Sequence, residues 1–235
     1  MLRFIDSGKM GRSQLGWLDS HFHFSFAEYY NPQNINFGVL RVINDDLVQP
    51  QTGFDMHPHR DMEILSYVVE GELSHADSME NRKTLTRGQV QYMSAGTGVV
   101  HSEHNWGKEV LRFLQIWIFP NREGRTPNYG DYPFKWEDRV NKWLPVATAV
   151  DNEKSTAPIK INADVNAYVT YLEPGQTLDC SVGAERQAYL VLIEGKADIS
   201  GQKLNMRDAL EIVEQQVTIK PEEPSHIFMI EMAKS

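Results

Sequence analysis

Short runs of apolar residues, rich in Val, Ile, Tyr and Phe, recur along the chain and are separated by Gly, Pro, Asn or Asp. This pattern is typical of β-strands joined by turns, and helical periodicity is scarce. Nine segments are predicted to be strands: Phe37–Ile43, Ile64–Val69, Val90–Met93, Arg112–Phe119, Ala167–Leu172, Tyr189–Ile193, Leu210–Val213, Val217–Lys220 and His226–Met232. The pattern therefore predicts an all-β protein, built as a sandwich or a barrel.

A weak internal repeat relates the two halves of the chain. The segment Tyr67–Glu72 resembles Val191–Lys196, and a second similar pair, Arg87–Val90 and Arg207–Leu210, follows at comparable distances. We interpret the repeat as two copies of one β-barrel unit. The stretch between the halves is rich in proline and polar residues, and it predicts a connection with a short helix around Lys135–Asn141.

This organisation divides the chain into three predicted parts. They are an N-terminal barrel at 1–125, a connecting segment at 126–150 and a C-terminal barrel at 151–235. Seven of the eight histidines precede residue 105, so the chemistry is expected in the N-terminal barrel.

Composition narrows the possible functions. The 23 basic and 32 acidic residues give a net charge of −9, which disfavours general binding to nucleic acid or to an anionic membrane. The only cysteine, Cys180, cannot form an internal disulfide. The first residues lack the apolar region of a secretion signal, and no apolar stretch approaches the ~20 residues that span a bilayer. We expect a cytoplasmic protein, and a monomer, since two barrels in one chain can bury their own faces.

Two segments carry potential metal ligands one residue apart, and glycines flank both. The first holds His57 and His59, and the second holds His101 and Glu103. Residues two apart share one face of a strand but not of a helix. Two such strands would bring three imidazoles and a carboxylate to one point. That donor set suits a divalent first-row transition metal better than calcium or magnesium.

The residues around these pairs resemble the pirin family of the cupin superfamily, and more narrowly its bacterial members described as quercetin dioxygenases. The likeness covers nearly the whole chain and rests on Gly16–Asp19, Phe24–Phe26, Leu40–Asp46, His57–His59, Met62–Ile64, Ser94–Gly98 and His101–Glu103. It implies a bicupin: two face-to-face antiparallel β-barrels of the jelly-roll type, with few short helices and a metal in the N-terminal barrel only.

The resemblance also implies the ligands. The family's metal ligands match His57, His59, His101 and Glu103 of this sequence. Iron is expected first, with zinc, nickel, cobalt, copper or manganese as alternatives. In ordinary cupins the carboxylate lies four residues after the His-x-His pair, which here is Glu63. We favour Glu103, as in pirins, and expect Glu63 to be a partner of a ligand imidazole.

The remaining candidates are weaker. Aligning the two repeat segments places Ser181 and Gly183 opposite His57 and His59, so the C-terminal barrel is expected to lack a metal. The other histidines are expected to be structural or solvated, including the packing pair His21 and His23, the solvated His75 and the outward-facing His104.

The resemblance implies a metal-dependent dioxygenase of the quercetin 2,3-dioxygenase type. Its substrates would be a small aromatic polyphenol and O2, with ring opening and loss of carbon monoxide. Glu103 is expected to take the 3-hydroxyl proton of the flavonol. From the strand pattern, the apolar walls around the metal are expected to include Phe54, Met56, Met93 and Trp117. The alternative is a redox-sensing regulatory pirin that binds a protein partner and has no dedicated catalytic role.

Overall fold

The computed structural model describes residues 1–234. Its regular structure over that range is almost entirely β: 22 strands accompany two short 3-10 helices, Ser7–Lys9 and Trp136–Arg139. The predicted all-β class is therefore confirmed. The short helix expected near residue 138 is present as one of the two 3-10 helices.

The strands alternate with short turns along the whole chain. The first twelve are β1 (Leu2–Ile5), β2 (Gly11–Gln14), β3 (Leu18–Phe22), β4 (Leu40–Val48), β5 (Thr52–His59), β6 (Glu63–Glu70), β7 (Glu72–Asp77), β8 (Arg82–Thr86), β9 (Val90–Ser94), β10 (Val99–Asn105), β11 (Leu111–Ile118) and β12 (Asn128–Tyr132). The last ten are β13 (Leu144–Ala149), β14 (Ile159–Ile161), β15 (Val165–Leu172), β16 (Leu178–Ser181), β17 (Arg186–Glu194), β18 (Lys196–Ile199), β19 (Gln202–Asn205), β20 (Ala209–Val213), β21 (Gln216–Pro221) and β22 (Ser225–Ala233). All nine predicted strands are present, although β4 begins at Leu40 instead of Phe37.

The first compact unit comprises residues 10–134 and 161–163. It contains a seven-stranded sheet in the order β12-β9-β6-β11-β4-β3-β2 and a four-stranded sheet in the order β5-β10-β7-β8. Apolar side chains from both sheets, including Leu73 and Leu85 on one and Val68 and Phe113 on the other, pack in one buried cluster. Burial of that cluster holds the two sheets of this unit together.

The second compact unit comprises residues 1–9, 135–160 and 164–235. Its seven-stranded sheet has the order β1-β20-β17-β22-β15-β13-β14, and its four-stranded sheet has the order β16-β21-β18-β19. The central order β9-β6-β11-β4 of the first unit thus recurs as β20-β17-β22-β15. The repeat in the sequence therefore corresponds to two barrels of the same topology.

The matching turns after β6 and β17 explain the repeated Glu-Gly pair. Gly71 and Gly195 have φ angles of 78° and 89°, a conformation that favours glycine. A Cβ atom on Gly195 would lie 2.1 Å from the carbonyl oxygen of Pro224.

Neither unit is a single continuous segment of the chain. Strand β1 pairs antiparallel with β20, Leu2 lying opposite Ile212, so the N-terminal residues belong to the second unit. The predicted domain limits, 1–125, 126–150 and 151–235, stay a prediction. Over residues 1–234, no helix combines the length and the apolar character needed to cross a membrane.

Candidate metal centre

Three imidazoles converge in the first unit because β5 and β10 pair antiparallel. His101 lies directly opposite His57, and Val99 lies opposite His59. Since alternate residues of a strand share a face, all three histidines point to the same side. Their ring centroids lie 4.5 Å (His57–His101), 4.8 Å (His57–His59) and 4.8 Å (His59–His101) apart. One ligand nitrogen from each ring lies within 4.8 Å of the others, so the rings form a group able to hold a metal ion.

The environment of these rings fits a metal. His101 is 1% exposed, and among residues 1–234 neither of its ring nitrogens has a hydrogen-bond partner. Buried polar atoms are almost always paired, so this ring lacks a partner that a metal would supply. The Nδ1 atom of His57 lies 2.7 Å from the carbonyl oxygen of Asp55. That hydrogen bond fixes the ring and directs Nε2 toward a metal.

Electrostatics keep two of the rings in the form that binds metal. Burial, together with the neighbouring imidazoles, lowers the pKa of His59 to about 4 and that of His101 to about 3. Both rings are therefore neutral at pH 7, as metal coordination requires.

Glu103 occupies the same face of β10 as His101 but has its own hydrogen-bond network. Its Oε1 accepts hydrogen bonds from Ser66 Oγ and Gln91 Nε2, both at 2.7 Å, and its Oε2 accepts one from Gln115 Nε2. The ligand atoms of Glu103, His101 and His75 form a second group within 4.8 Å of one another. The predicted ligands thus lie in two overlapping groups, which share His101.

His75 was expected to be solvated, and this expectation is wrong. The residue lies on β7 opposite Glu103 and is 3% exposed. Its Nε2 lies 3.0 Å from Asp77 Oδ2, while its Nδ1 is buried without a hydrogen-bond partner in the described part of the chain. Carboxylates commonly orient ligand histidines in this way. The sequence carries a signal for this pair, because His75 and Asp77 are two apart on one strand.

Glu63 was expected to pair with a ligand imidazole, and this expectation is also wrong. Its carboxylate accepts hydrogen bonds from Tyr92 Oη, from Ser94 Oγ at 2.6 Å and from the backbone N–H of Asn162 at 2.9 Å. These groups satisfy a buried carboxylate locally. Glu63 therefore has a structural role in the first unit.

Two other predicted residues occupy their expected environments. His104 lies on the opposite face of β10 from His101, stacks on Trp106 at 4.5 Å and is 3.3 Å from Asp55. His23 lies in the first unit beside the buried Phe22 and Phe24, and burial lowers its pKa to about 4. His104 thus points away from the histidine group, as expected, and His23 has the expected packing role.

A cavity of about 380 Å³ opens beside the histidine group. Its lining includes His57, His59, Glu103 and several apolar side chains, among them the predicted wall residues Phe54 and Trp117. The other two predicted wall residues are wrong: Met56 is 55% exposed, and Met93 packs in a separate cluster with Ile64 and Val99. A register shift between His101 and Glu103 sets Phe54 opposite Glu103 and so brings it to the cavity, whereas Met56, next to His57 on the strand, faces the other side.

Comparison with protein families gives two matches. The family model Pirin matches residues 6–118, and the model described as the quercetinase C-terminal cupin domain matches residues 149–232. The chain is 40% identical over 226 residues to a pirin-like protein of Caulobacter vibrioides, covering 96% of this chain and 97% of the relative. It is 37% identical over 234 residues to the quercetin 2,3-dioxygenase of Escherichia coli strain K12, covering 99% of each.

Two solved structures are similar to this chain over its whole length. The crystal structure of YhhW from Escherichia coli superimposes with a TM-score of 0.93 at 36% identity, covering 100% of this chain and 99% of that one. A structure of the bacterial pirin YhhW in complex with nickel(II) superimposes with a TM-score of 0.92 at 35% identity, covering both chains completely.

Proposed function

The chain belongs to the pirin family, and on that premise we propose that it is a metal-dependent dioxygenase of the quercetin 2,3-dioxygenase type. The observation that carries the proposal is the convergence of His57, His59 and His101 beside a largely apolar cavity, which His57 and His59 line. The relatives named quercetin 2,3-dioxygenase support the choice of substrate class.

We propose His57, His59, His101 and Glu103 as the metal ligands. The ion would be a first-row transition metal, with iron first among the candidates, and the nickel complex of the related YhhW supports this class of ion. When bound, such an ion supplies Lewis acidity, which lowers the pKa of a phenolic hydroxyl and holds the substrate beside O2.

Glu103 is proposed to accept the 3-hydroxyl proton of the flavonol. Two donors, Ser66 and Gln91, already occupy its Oε1, whereas Gln115 alone donates to Oε2. Oε2 is therefore the oxygen with room to receive a proton. The three donors also orient the carboxylate.

The cavity provides the surroundings that this reaction needs. The ring of Trp117 packs edge-on against His59 at 4.9 Å, and Phe54 lies 6.4 Å from His57. These aromatic walls offer flat apolar surfaces for an aromatic substrate. The expected overall reaction adds both atoms of O2 to the flavonol, opens its central ring and releases one molecule of carbon monoxide.

The experiment that tests this function begins with elemental analysis of protein purified without added metal. Protein loaded with each first-row metal is then mixed with quercetin under oxygen. We expect the flavonol absorbance to decay with uptake of one O2 and release of one carbon monoxide per quercetin. Absence of turnover with every metal would reject the proposal.

The alternative is a redox-sensing regulatory protein that acts by binding a protein partner. The net charge of −9 and a relative named only as pirin-like favour this alternative. Capture of partners from native lysate should compare the wild type with a His57→Ala/His101→Ala variant. A partner retained equally by both proteins would count against regulation gated by the metal.

A further inference from the structure

A small polar patch interrupts the apolar wall of the cavity in the first unit. It consists of Ser20 on β3 and of Asn44 and Asp46 on β4, all of which line the same cavity as His57 and His59. The two β4 residues are two apart and share one face of the strand, and Ser20 pairs directly with Asp46 in the register. The fold thus places these hydrogen-bonding groups in the same cavity as two of the histidines.

Asn44 lacks a partner in this patch. The residue is 4% exposed, and its side-chain Oδ1 is buried with no hydrogen-bond partner among residues 1–234. A buried carbonyl oxygen without a donor is rare in folded proteins. Because Asn44 lines the cavity, the missing donor is expected to come from a molecule bound there.

Asp46 lies beside this unpaired acceptor. It is 3% exposed and accepts a hydrogen bond from Ser20 Oγ. Burial, together with the nearby Asp45 and Glu103, raises the pKa of Asp46 to about 7, although the Ser20 hydrogen bond opposes the shift. A carboxyl group accepts a hydrogen bond whether or not it is ionised. Asp46 therefore offers a second acceptor at pH 7.

From this arrangement we infer that Asn44 and Asp46 form a subsite that accepts hydrogen bonds from ring hydroxyls of the aromatic ligand. The inference rests on the proposed function and adds a source of specificity to it. The histidine group would hold one part of the ligand, and the polar patch would select ligands that carry further hydroxyls. A ligand without them would leave both acceptors unpaired and would bind more weakly.

The test compares quercetin with 3-hydroxyflavone, which has the 3-hydroxyl but none of the other ring hydroxyls. Dissociation constants are measured without oxygen on metal-loaded wild type and on two variants of similar side-chain size, Asn44→Leu and Asp46→Leu. The wild type should prefer quercetin. In each variant the affinity for quercetin should fall about tenfold relative to that for 3-hydroxyflavone, the change expected from one lost hydrogen bond. The affinity for 3-hydroxyflavone itself should stay the same.

The ratio of the two affinities distinguishes loss of the subsite from misfolding or loss of the metal. A variant that misfolds or loses metal would weaken both ligands alike, and metal content and melting temperature are measured on every protein. Asn128→Leu, an exposed position on β12 outside the cavity lining, is the matched control and should keep the wild-type preference.

An unchanged preference in both leucine variants would overturn the subsite, even if quercetin is turned over. It would mean that the unpaired acceptor binds only water. A preference that falls as expected, in a protein that consumes no oxygen, would support the subsite and reject the dioxygenase function. The two proposals therefore fail on different measurements.

Discussion

His101 lies directly opposite His57 across the antiparallel pair β5–β10, and their ring centroids are 4.5 Å apart. This relationship makes the candidate metal centre depend on strand pairing, because neither histidine reaches the other without the correct register. The nitrogens of His101, which have no hydrogen-bond partner within residues 1–234, also lie beside the imidazoles of His59 and His75.

Replacement of His101 should abolish tight metal binding. His101→Gln removes the ring that both candidate ligand groups share, so we expect metal affinity to fall at least about 100-fold. Calorimetric titration with nickel(II) or iron(II) measures the change. The matched control is His104→Gln on the outer face of the same strand, which should bind metal like the wild type. Equal affinity of the two variants would contradict the proposed centre.

Replacement of His75 should have a smaller effect. We expect His75 to support the centre without being a required ligand. His75→Gln should therefore keep one bound metal, with an affinity for the metal about tenfold lower than that of the wild type. The same titration, with elemental analysis, measures both values. Complete loss of metal from this variant, with retention in His57→Gln, would instead assign the ion to the group of His75, His101 and Glu103.

Replacement of Glu103 should affect the chemical step. Glu103→Gln keeps the shape of the side chain but removes the proton acceptor, and general-base catalysis contributes about 10²–10⁴-fold to a rate. We expect kcat per bound metal to fall by at least about 100-fold, while quercetin still binds in the absence of oxygen. The exposed Glu123→Gln is the control. A kcat per metal within threefold of the wild type would exclude Glu103 as the base.

Asp46 should make the folded protein less stable as the pH rises. Its raised pKa means that the folded state keeps this proton between about pH 4 and pH 7, whereas the unfolded chain has released it. The free energy of unfolding contributed by this group therefore falls across that range, by up to about 4 kcal/mol. Asp46→Asn removes the titration, so its stability relative to the wild type should increase from pH 4 to pH 7.

Urea denaturation at several pH values measures this difference. Asp151→Asn, at an exposed position of the second unit, is the control and should show no such trend. A constant difference between Asp46→Asn and the wild type would show that Asp46 titrates alike in both states.

Gly53 is required for the close approach of β5 and β10. A Cβ atom at this position would lie 2.4 Å from the carbonyl oxygen of Glu103 and 2.5 Å from Cα of His104. Gly53→Ala must therefore displace one strand, and we expect a loss of about 1–3 kcal/mol in stability together with weaker metal binding. Gly130→Ala is the control, since within the described chain no outside atom lies within 4 Å of its Cβ position. Equal stability of both variants would contradict this role.

Much of the centre could be predicted because strand geometry is local. A period of two fixes which residues share a face, so the pairs His57/His59 and His101/Glu103 follow once the segments are recognised as strands. The resemblance to the pirin family added the choice of ligands. The repeat predicted two similar barrels, and the matching sheet orders agree with it.

Local patterns along the chain specify the strands, the duplicated unit and the histidine pairs, since each depends on residues close in sequence. Other features depend on pairing between segments that are distant along the chain. The β7–β10 register placed His75 opposite Glu103, and a bulge between β5 and β10 placed Phe54 opposite Glu103, at the cavity. The hydrogen bonds that satisfy Glu63 likewise come from β9 and from a distant loop. Register and bulges arise from contacts across the sheet, which no local pattern specifies.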